Sequence, residues 1–228
     1  MTELSTRVTM IVDLVGSRRH ADRAWVHRAF TDALAAVNGT VPAEQPLEPT
    51  VGDEAQARYA TVEEALRSSL LLRLELPDQL DARTGIGVGP VQHLGHGAVG
   101  LLQDGPGWWA ARDAINEAKA RETGRDRTLR TWYVVADGVP QGGEHPDPAH
   151  VDAFLLLRDE IVSGMLPRSR RLLRGVLDGR TQADLADEEG ISASAVSQNL
   201  RRSGAYAVLH AHDLLRHGTV LTPPAPGQ

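Results

Sequence analysis

Asp13 lies near the end of a β-branched apolar run, Val8–Val15 (VTMIVDLV), and Asp53 sits on a Gly-Asp turn within Thr50–Tyr59. A carboxylate at a strand end commonly accepts backbone amides, which is the plainer role for either residue. If the two strands are neighbours, both carboxylates converge. Two convergent carboxylates are the usual protein share of a Mg²⁺ site, with nucleotide phosphates and water completing the octahedron. Mg²⁺ held with a nucleotide is the cofactor this pair predicts. Arg18 and Arg19 follow Asp13 closely, either to meet a phosphate or to form a solvated pair where a helix begins. His93 and His96 are three residues apart in a Gly-rich loop, but no third ligand nearby commits them to zinc. Trp108 and Trp109 are adjacent, so a helix cannot bury both on one narrow stripe; core for one and interface for the other is the simplest division.

A second constellation lies in Gln182–Arg201 (QADLADEEGISASAVSQNLR). A helix-turn-helix needs a small residue where its helices cross, a glycine at the turn and an apolar residue on the second helix. Ala186, Gly190 and Val196 stand at those places, with Leu185, Ile191 and Leu200 as remaining core. Thr181 and Ser192 are placed to cap the two helices. The second helix then presents Ser194, Ser197, Gln198, Arg201 and Arg202. Arg and Gln read base edges bidentately, and Ser contacts bases or phosphates. Double-stranded DNA is the expected partner, a plain helical hairpin packed on the body the alternative. Arg168, Arg170, Arg171 and Arg174 precede the motif on one helix, where they would add phosphate contacts without sequence information.

The elements that must position these residues follow from periodicity and punctuation. Val8–Val15 reads as a buried strand. Ala21–Val37 reads as a helix closed by Asn38-Gly39. Val41–Pro49, with three prolines, reads as a loop or an irregular strand, and Thr50–Tyr59 as two short strands around the acidic turn. Thr61–Glu64 is a capping box for a helix that ends before Pro77. Arg83–Val91 (RTGIGVGPV) is a strand whose alternate glycines invite a close backbone approach. Gly105-Pro106 opens another helix, and Thr131–Ala136 is a last strand. This order predicts an α+β chain that starts with a ferredoxin-like, split βαβ sheet covered by helices on one face. Asp137–Pro148 is rich in Gly and Pro and reads as a boundary. The expected organisation is a first domain over 1–137, a linker over 138–148, an all-α domain over 149–220, and a disordered Pro-rich tail over 221–228.

Composition sets the limits. With 228 residues and 41% apolar content the chain has material for one or two cores. Without cysteine it forms no disulfide framework, iron–sulfur cluster or thiolate zinc site. No apolar run reaches the roughly 18 residues of a membrane span. The polar start lacks the order of an export signal, so a cytoplasmic protein is expected. Residues 1–166 carry 16 basic and 24 acidic groups, a formal −8, whereas 167–228 carry 8 and 6, a formal +2. The acidic body argues against broad nucleic-acid binding; the basic tail permits it locally. The basic residues are 23 Arg and a single lysine, Lys119, a bias that reads as genome composition.

Four segments carry a family resemblance: Asp13 with Ser17-Arg18, Gly52-Asp53-Glu54, Arg83-Thr84-Gly85-Ile86-Gly87, and Asp104-Gly105-Pro106 with Arg112. In order and spacing they resemble the catalytic domain of class III nucleotidyl cyclases, and more closely the SatD-like family, over roughly residues 7–136. The resemblance implies a cyclase-related palm sheet, metal ligands at Asp13 and Asp53, and nucleotide contacts from Arg18, Gly52, Glu54 and Arg112. It also implies a homodimer, because cyclase-like domains pair to build their site. Pro49 stands near the place of the cyclases' base-reading lysine. Trp109 and Asp113 fall nearest the places of their Asn and Arg, which stabilise the transition state. That stabilisation is the largest catalytic contribution such enzymes have, so no catalytic residue is assigned. The expected function is a DNA-binding transcriptional regulator whose degenerate cyclase-like domain senses a nucleotide or dimerises. An active cyclase or nucleotidyltransferase with a docking helical tail is the alternative, and a ligand-free dimerisation scaffold a further one.

Overall fold

The computed structural model describes residues 5–96, 101–140 and 145–217. Strand β1 (Ser5–Val15) pairs antiparallel with β3 (Glu54–Tyr59) on one side and β4 (Asp81–His96) on the other. β2 (Gln45–Pro49) lies beyond β3, and β5 (Leu101–Asp104) pairs antiparallel with the far end of β4. β6 (Thr131–Val135) runs parallel to the first half of β4. The order β2-β3-β1-β4 is the ferredoxin-like arrangement the sequence predicts. The proline-rich stretch read as loop or irregular strand contains β2, so the acidic turn joins β2 to β3. β5 went unrecognised because it has only four residues and owes its existence to pairing with an extended β4.

One expectation is corrected: helices cover both faces of the sheet. Met10, Val12, Ala57 and Ile86 point into one core with α1 (Arg23–Thr40) and α2 (Val62–Glu75). Ile11 and Val91 point the other way, onto Trp108, Ala111 and Ile115 of α3 (Pro106–Glu122). The alternate glycines of β4 make this second layer possible. A Cβ on Gly85 would stand 2.2 Å from the Ala111 carbonyl oxygen, and one on Gly87 2.3 Å from the Ala111 nitrogen. Only a bare strand lets the helix backbone lie this close.

The chain continues in α4 (Pro148–Ser163), α5 (Pro167–Leu177), α6 (Gln182–Glu189), α7 (Ala193–Arg202) and α8 (Ala205–His217), in accord with the five helices expected. The tail over 221–228 lies outside the described residues. α4 is anchored to the sheet rather than free of it. Asp152 accepts the Tyr133 amide at 3.0 Å, and Asp159 accepts the amides of Arg130 and Thr131 at 2.7 Å each. These carboxylates satisfy the amides along the outer edge of β6, which would otherwise be an open strand edge. Asp159, wholly buried, also accepts from Arg73 and Arg158. Arg158 spends its remaining donors on Ser69, Thr131 and the Leu66 carbonyl. Arg73 reaches Asp81, which Arg130 holds from its other side at 2.7 Å. No described helix is long and apolar enough to cross a membrane.

Candidate functional site

Asp13 stands opposite both Glu54 and Arg83 in the strand register, on the sheet face that carries α3. After β1 the chain turns through Gly16, which adopts a left-handed conformation (φ 70°), into a short 3-10 turn, Ser17–Arg19. That turn delivers the buried Ser17 hydroxyl to the Asp53 carboxylate. The acidic hairpin is pinned from both sides: the Leu14 amide donates to the Asp53 carbonyl at 3.2 Å, and the Thr50 amide to the Glu54 carbonyl at 2.9 Å. Gly52 takes a φ of 73° at its tip. The structure thus brings together Asp13, Gly52, Asp53 and Glu54 at one rim, as the sequence predicts.

Cations close the rim. Arg83, 6% exposed, donates to Asp13 Oδ2 at 3.2 Å and to Glu122. Arg112 of α3 grips Glu54 with two parallel bonds of 2.8 Å, which hold its guanidinium above its ordinary pKa. Burial and the neighbouring Asp53 charge push the Asp13 carboxyl above the usual range, against the pull of Arg83 and Lys119. The side chain of Arg18 lies outside what the structure describes, as do those of His93 and His96. Sequence reasoning missed the roles of Arg83 and Lys119 at this rim. The signal for α3 was available: Trp109, Arg112, Asn116 and Lys119 recur at helical spacing, and all four are exposed.

Two neighbouring carboxylates, with Asp13 held toward its protonated form by burial and by the Asp53 charge, suit a cation bound partly by phosphates and water. They do not make an all-protein cage, and among the described residues no group of three or more His, Asp or Glu is placed to hold a metal ion. Trp108 is buried and donates to Gln103 at 3.3 Å, whereas Trp109 is 58% exposed and donates to Asp104 at 2.8 Å. The core role expected for one of the two thus falls to Trp108, and Trp109 lies at the surface.

The second constellation forms a compact three-helix arrangement of α5, α6 and α7. Thr181 caps α6 through a capping box with Asp184, and Ser192 caps α7 by accepting the Ala195 amide at 3.2 Å. Between them Gly190 adopts φ 64°, and the Ile191 amide returns to the Ala186 carbonyl at 3.0 Å. Leu185, Ala186, Val196 and Leu200 are buried as expected. Ser194, Gln198, Arg201 and Arg202 are exposed; Ser197 is half-buried, 3.4 Å from the Tyr206 hydroxyl.

The flanking arginines do not form the open basic flank expected of them. Arg170 turns inward and donates to the Arg73 carbonyl, and burial lowers its guanidinium pKa. Arg171 forms a two-bond clasp with Glu189 of α6, 2.6 and 2.8 Å long, and Arg168 joins it at 3.2 Å. Arg174 pairs with Glu75. Folding spends these charges on carboxylates and a carbonyl that are distant in sequence.

No protein-family model matches the chain, and no curated protein does. Among solved structures it is similar to a bacterial light-regulated adenylyl cyclase, at 12% identity over 51% of this chain and 72% of that one, with a TM-score of 0.43. The guanylyl cyclase Cya2 matches at 14% identity over 63% and 89%, with a TM-score of 0.41. A regulator of polyketide synthase expression from Bifidobacterium adolescentis matches at 14% identity over 96% and 84%, with a TM-score of 0.28. At these levels of identity and superposition the likenesses say nothing of what this chain binds or does.

Proposed function

We propose that this chain is a DNA-binding transcriptional regulator of the SatD-like, cyclase-related kind, in which a nucleotide held on the sheet biases the helix-turn-helix. The observation that carries the reading is the uncovered face of α7. Gln198, Arg201 and Arg202 are exposed, and among the described residues none of these side chains is engaged in an ion pair or a side-chain hydrogen bond. Long polar side chains held on a rigid, capped helix with no protein partner are what base edges in a major groove require. One helix-turn-helix reads a half-site, so the protein acts as a homodimer. On the sheet, Asp13 and Asp53 would hold Mg²⁺, with Gly52, Glu54, Arg112 and Arg18 around the nucleotide. The cation's contribution would be to neutralise phosphate charge.

Selection of bound duplexes from a random pool, with and without Mg²⁺ and nucleoside triphosphates, tests the reading. An enriched sequence whose yield changes with nucleotide is the expected result. Arg201→Ala and Gln198→Ala should each cost about 1–3 kcal/mol on the selected operator and relax the preference at particular base pairs. Enrichment of no sequence, or variants that bind operator and scrambled duplex as wild type does, would show that α7 is a packing element.

A further inference from the structure

The stripe of α3 that faces the acidic rim contains Lys119, the only lysine in a chain with 23 arginines. The place of this lysine in the fold follows from the packing of α3 on β4. Gly85 lies against Ala111 and Ile115, and Gly87 against Gly107 and Ala111, so helix and strand run in opposite directions. Two residues of strand from Gly85 to Arg83 cover about 6.6 Å, which is roughly four residues of helix rise. The turn of α3 that begins at Ile115 therefore reaches Lys119 at the level of Arg83, the register partner of Asp13. The pairing of Glu122, on the same last turn, with Arg83 agrees with this placement.

Two other cations of the rim are paired with carboxylates. Arg83 is buried between Asp13 and Glu122, and Arg112 is clasped by Glu54. Lys119 is exposed, and among the described residues it forms no ion pair or hydrogen bond. Its charge is nonetheless felt at Asp13. An ammonium on a flexible four-carbon stem, with three donors and no planar geometry to satisfy, suits a phosphate that carries a metal ion on its other oxygens.

We infer that Lys119 is the phosphate-binding cation of this rim, meeting the oxygens of a polyphosphate whose Mg²⁺ lies at Asp13 and Asp53. This rests on the proposed nucleotide reading and adds the group that recognises the polyphosphate. The ligand class is a polyphosphate whatever its base, so inorganic triphosphate is the probe that isolates the contact.

Lys119 is the only side-chain amine, so acetylation of the full-length protein by an N-hydroxysuccinimide ester, read peptide by peptide in a mass spectrometer to separate it from the more acidic α-amine, reports on this residue. MgATP and Mg-triphosphate should both slow its acetylation severalfold, while adenosine should not. Calorimetry should show that Lys119→Gln binds both phosphorylated probes about tenfold or more weakly, with Lys119→Arg recovering part of the loss. If wild type binds MgATP but Lys119 stays unprotected and Lys119→Gln binds as tightly, this inference fails and the nucleotide reading stands. If Lys119 is protected but Asp13→Asn and Asp53→Asn bind MgATP as wild type does, the carboxylate site fails, and with it the geometry inferred for Lys119. Failure of wild type to bind either probe overturns both.

Discussion

Asp159 and Glu189 do the same thing in two regions of the molecule: each is one carboxylate that gathers two guanidinium groups. Asp159, between α4 and the sheet, is wholly buried, as are its partners Arg73 and Arg158, and it also accepts two backbone amides. Glu189, at the end of α6, is itself largely covered, but Arg168 and Arg171 remain more than half exposed. The difference teaches what each cluster is for. In a desolvated site every donor must be matched, because an unpaired charge there has no water to turn to. At the surface the same contacts compete with solvent and salt on nearly equal terms. The first cluster therefore fixes architecture, and the second sets which charges stay available to a ligand.

The largest effect expected is at Asp159. Asn in its place leaves Arg73 and Arg158 partly uncompensated and turns an amide NH₂ toward them, so Asp159→Asn should destabilise the fold by about 3–5 kcal/mol. Urea unfolding followed by circular dichroism measures it. A loss below about 1 kcal/mol would put this cluster in the same class as Glu189 and dissolve the contrast.

This cluster also shows where sequence reading stops. Apart from β5, the order of strands and helices was legible, as were the acidic turn, the close approach at the β4 glycines and the capped turn between α6 and α7. Each depends on residues within a few positions of one another or on a fixed period. Arg73 and Asp159 are 86 residues apart, and neither carries a local pattern that names the other. Equally hidden was the grip of α4 on the sheet, where Asp152 and Asp159, seven residues apart on one face, seal the edge of β6. Sequence reading also counted Arg170 as a phosphate contact when its donor goes to Arg73 across 97 residues. At the candidate site the carboxylates were legible because strand ends and turns mark them. Their cations were not, because Arg83 and Lys119 reach the rim only through strand register and helix packing.

Asp152 sharpens the comparison within α4 itself. Like Asp159 it accepts an amide of β6, but it has no guanidinium in contact, and burial pushes its carboxyl up to about 7. The folded state thus keeps a proton that the unfolded chain releases near the ordinary aspartate value. Stability contributed by this group is present below that ordinary value and is lost as pH rises from about 4 through 7. Wild type should lose on the order of 1–2 kcal/mol between pH 5 and pH 8 relative to Asp152→Asn, which keeps an acceptor for the Tyr133 amide but does not titrate. Parallel pH slopes for the two proteins in urea unfolding would show that Asp152 is an ordinary solvated carboxylate.

The smallest effect in stability, and the most telling for function, is expected at Glu189. Its carboxylate occupies the guanidinium faces of Arg168 and Arg171 that a DNA phosphate would use, and Arg171 holds it below the usual glutamate range. The clasp therefore persists across the neutral pH range and opposes phosphate binding by both arginines. Glu189→Gln removes the competing charge while keeping size and polarity. Because the arginines are exposed, the cost to folding should stay within about 1 kcal/mol. Binding to any duplex should tighten, with the salt dependence steepening by about 0.9 for each arginine that gains a phosphate. Preference for the selected operator over scrambled DNA should not change, since the proposed function assigns base reading to α7 and only phosphate contacts to these arginines. Arg171→Ala on wild type should then have little effect on DNA binding, whereas on the Glu189→Gln background it should remove part of the gain. Fluorescence anisotropy over a salt series distinguishes these outcomes. An unchanged salt slope in Glu189→Gln would mean that Arg168 and Arg171 face away from the duplex, leaving α7 to bind without a basic flank.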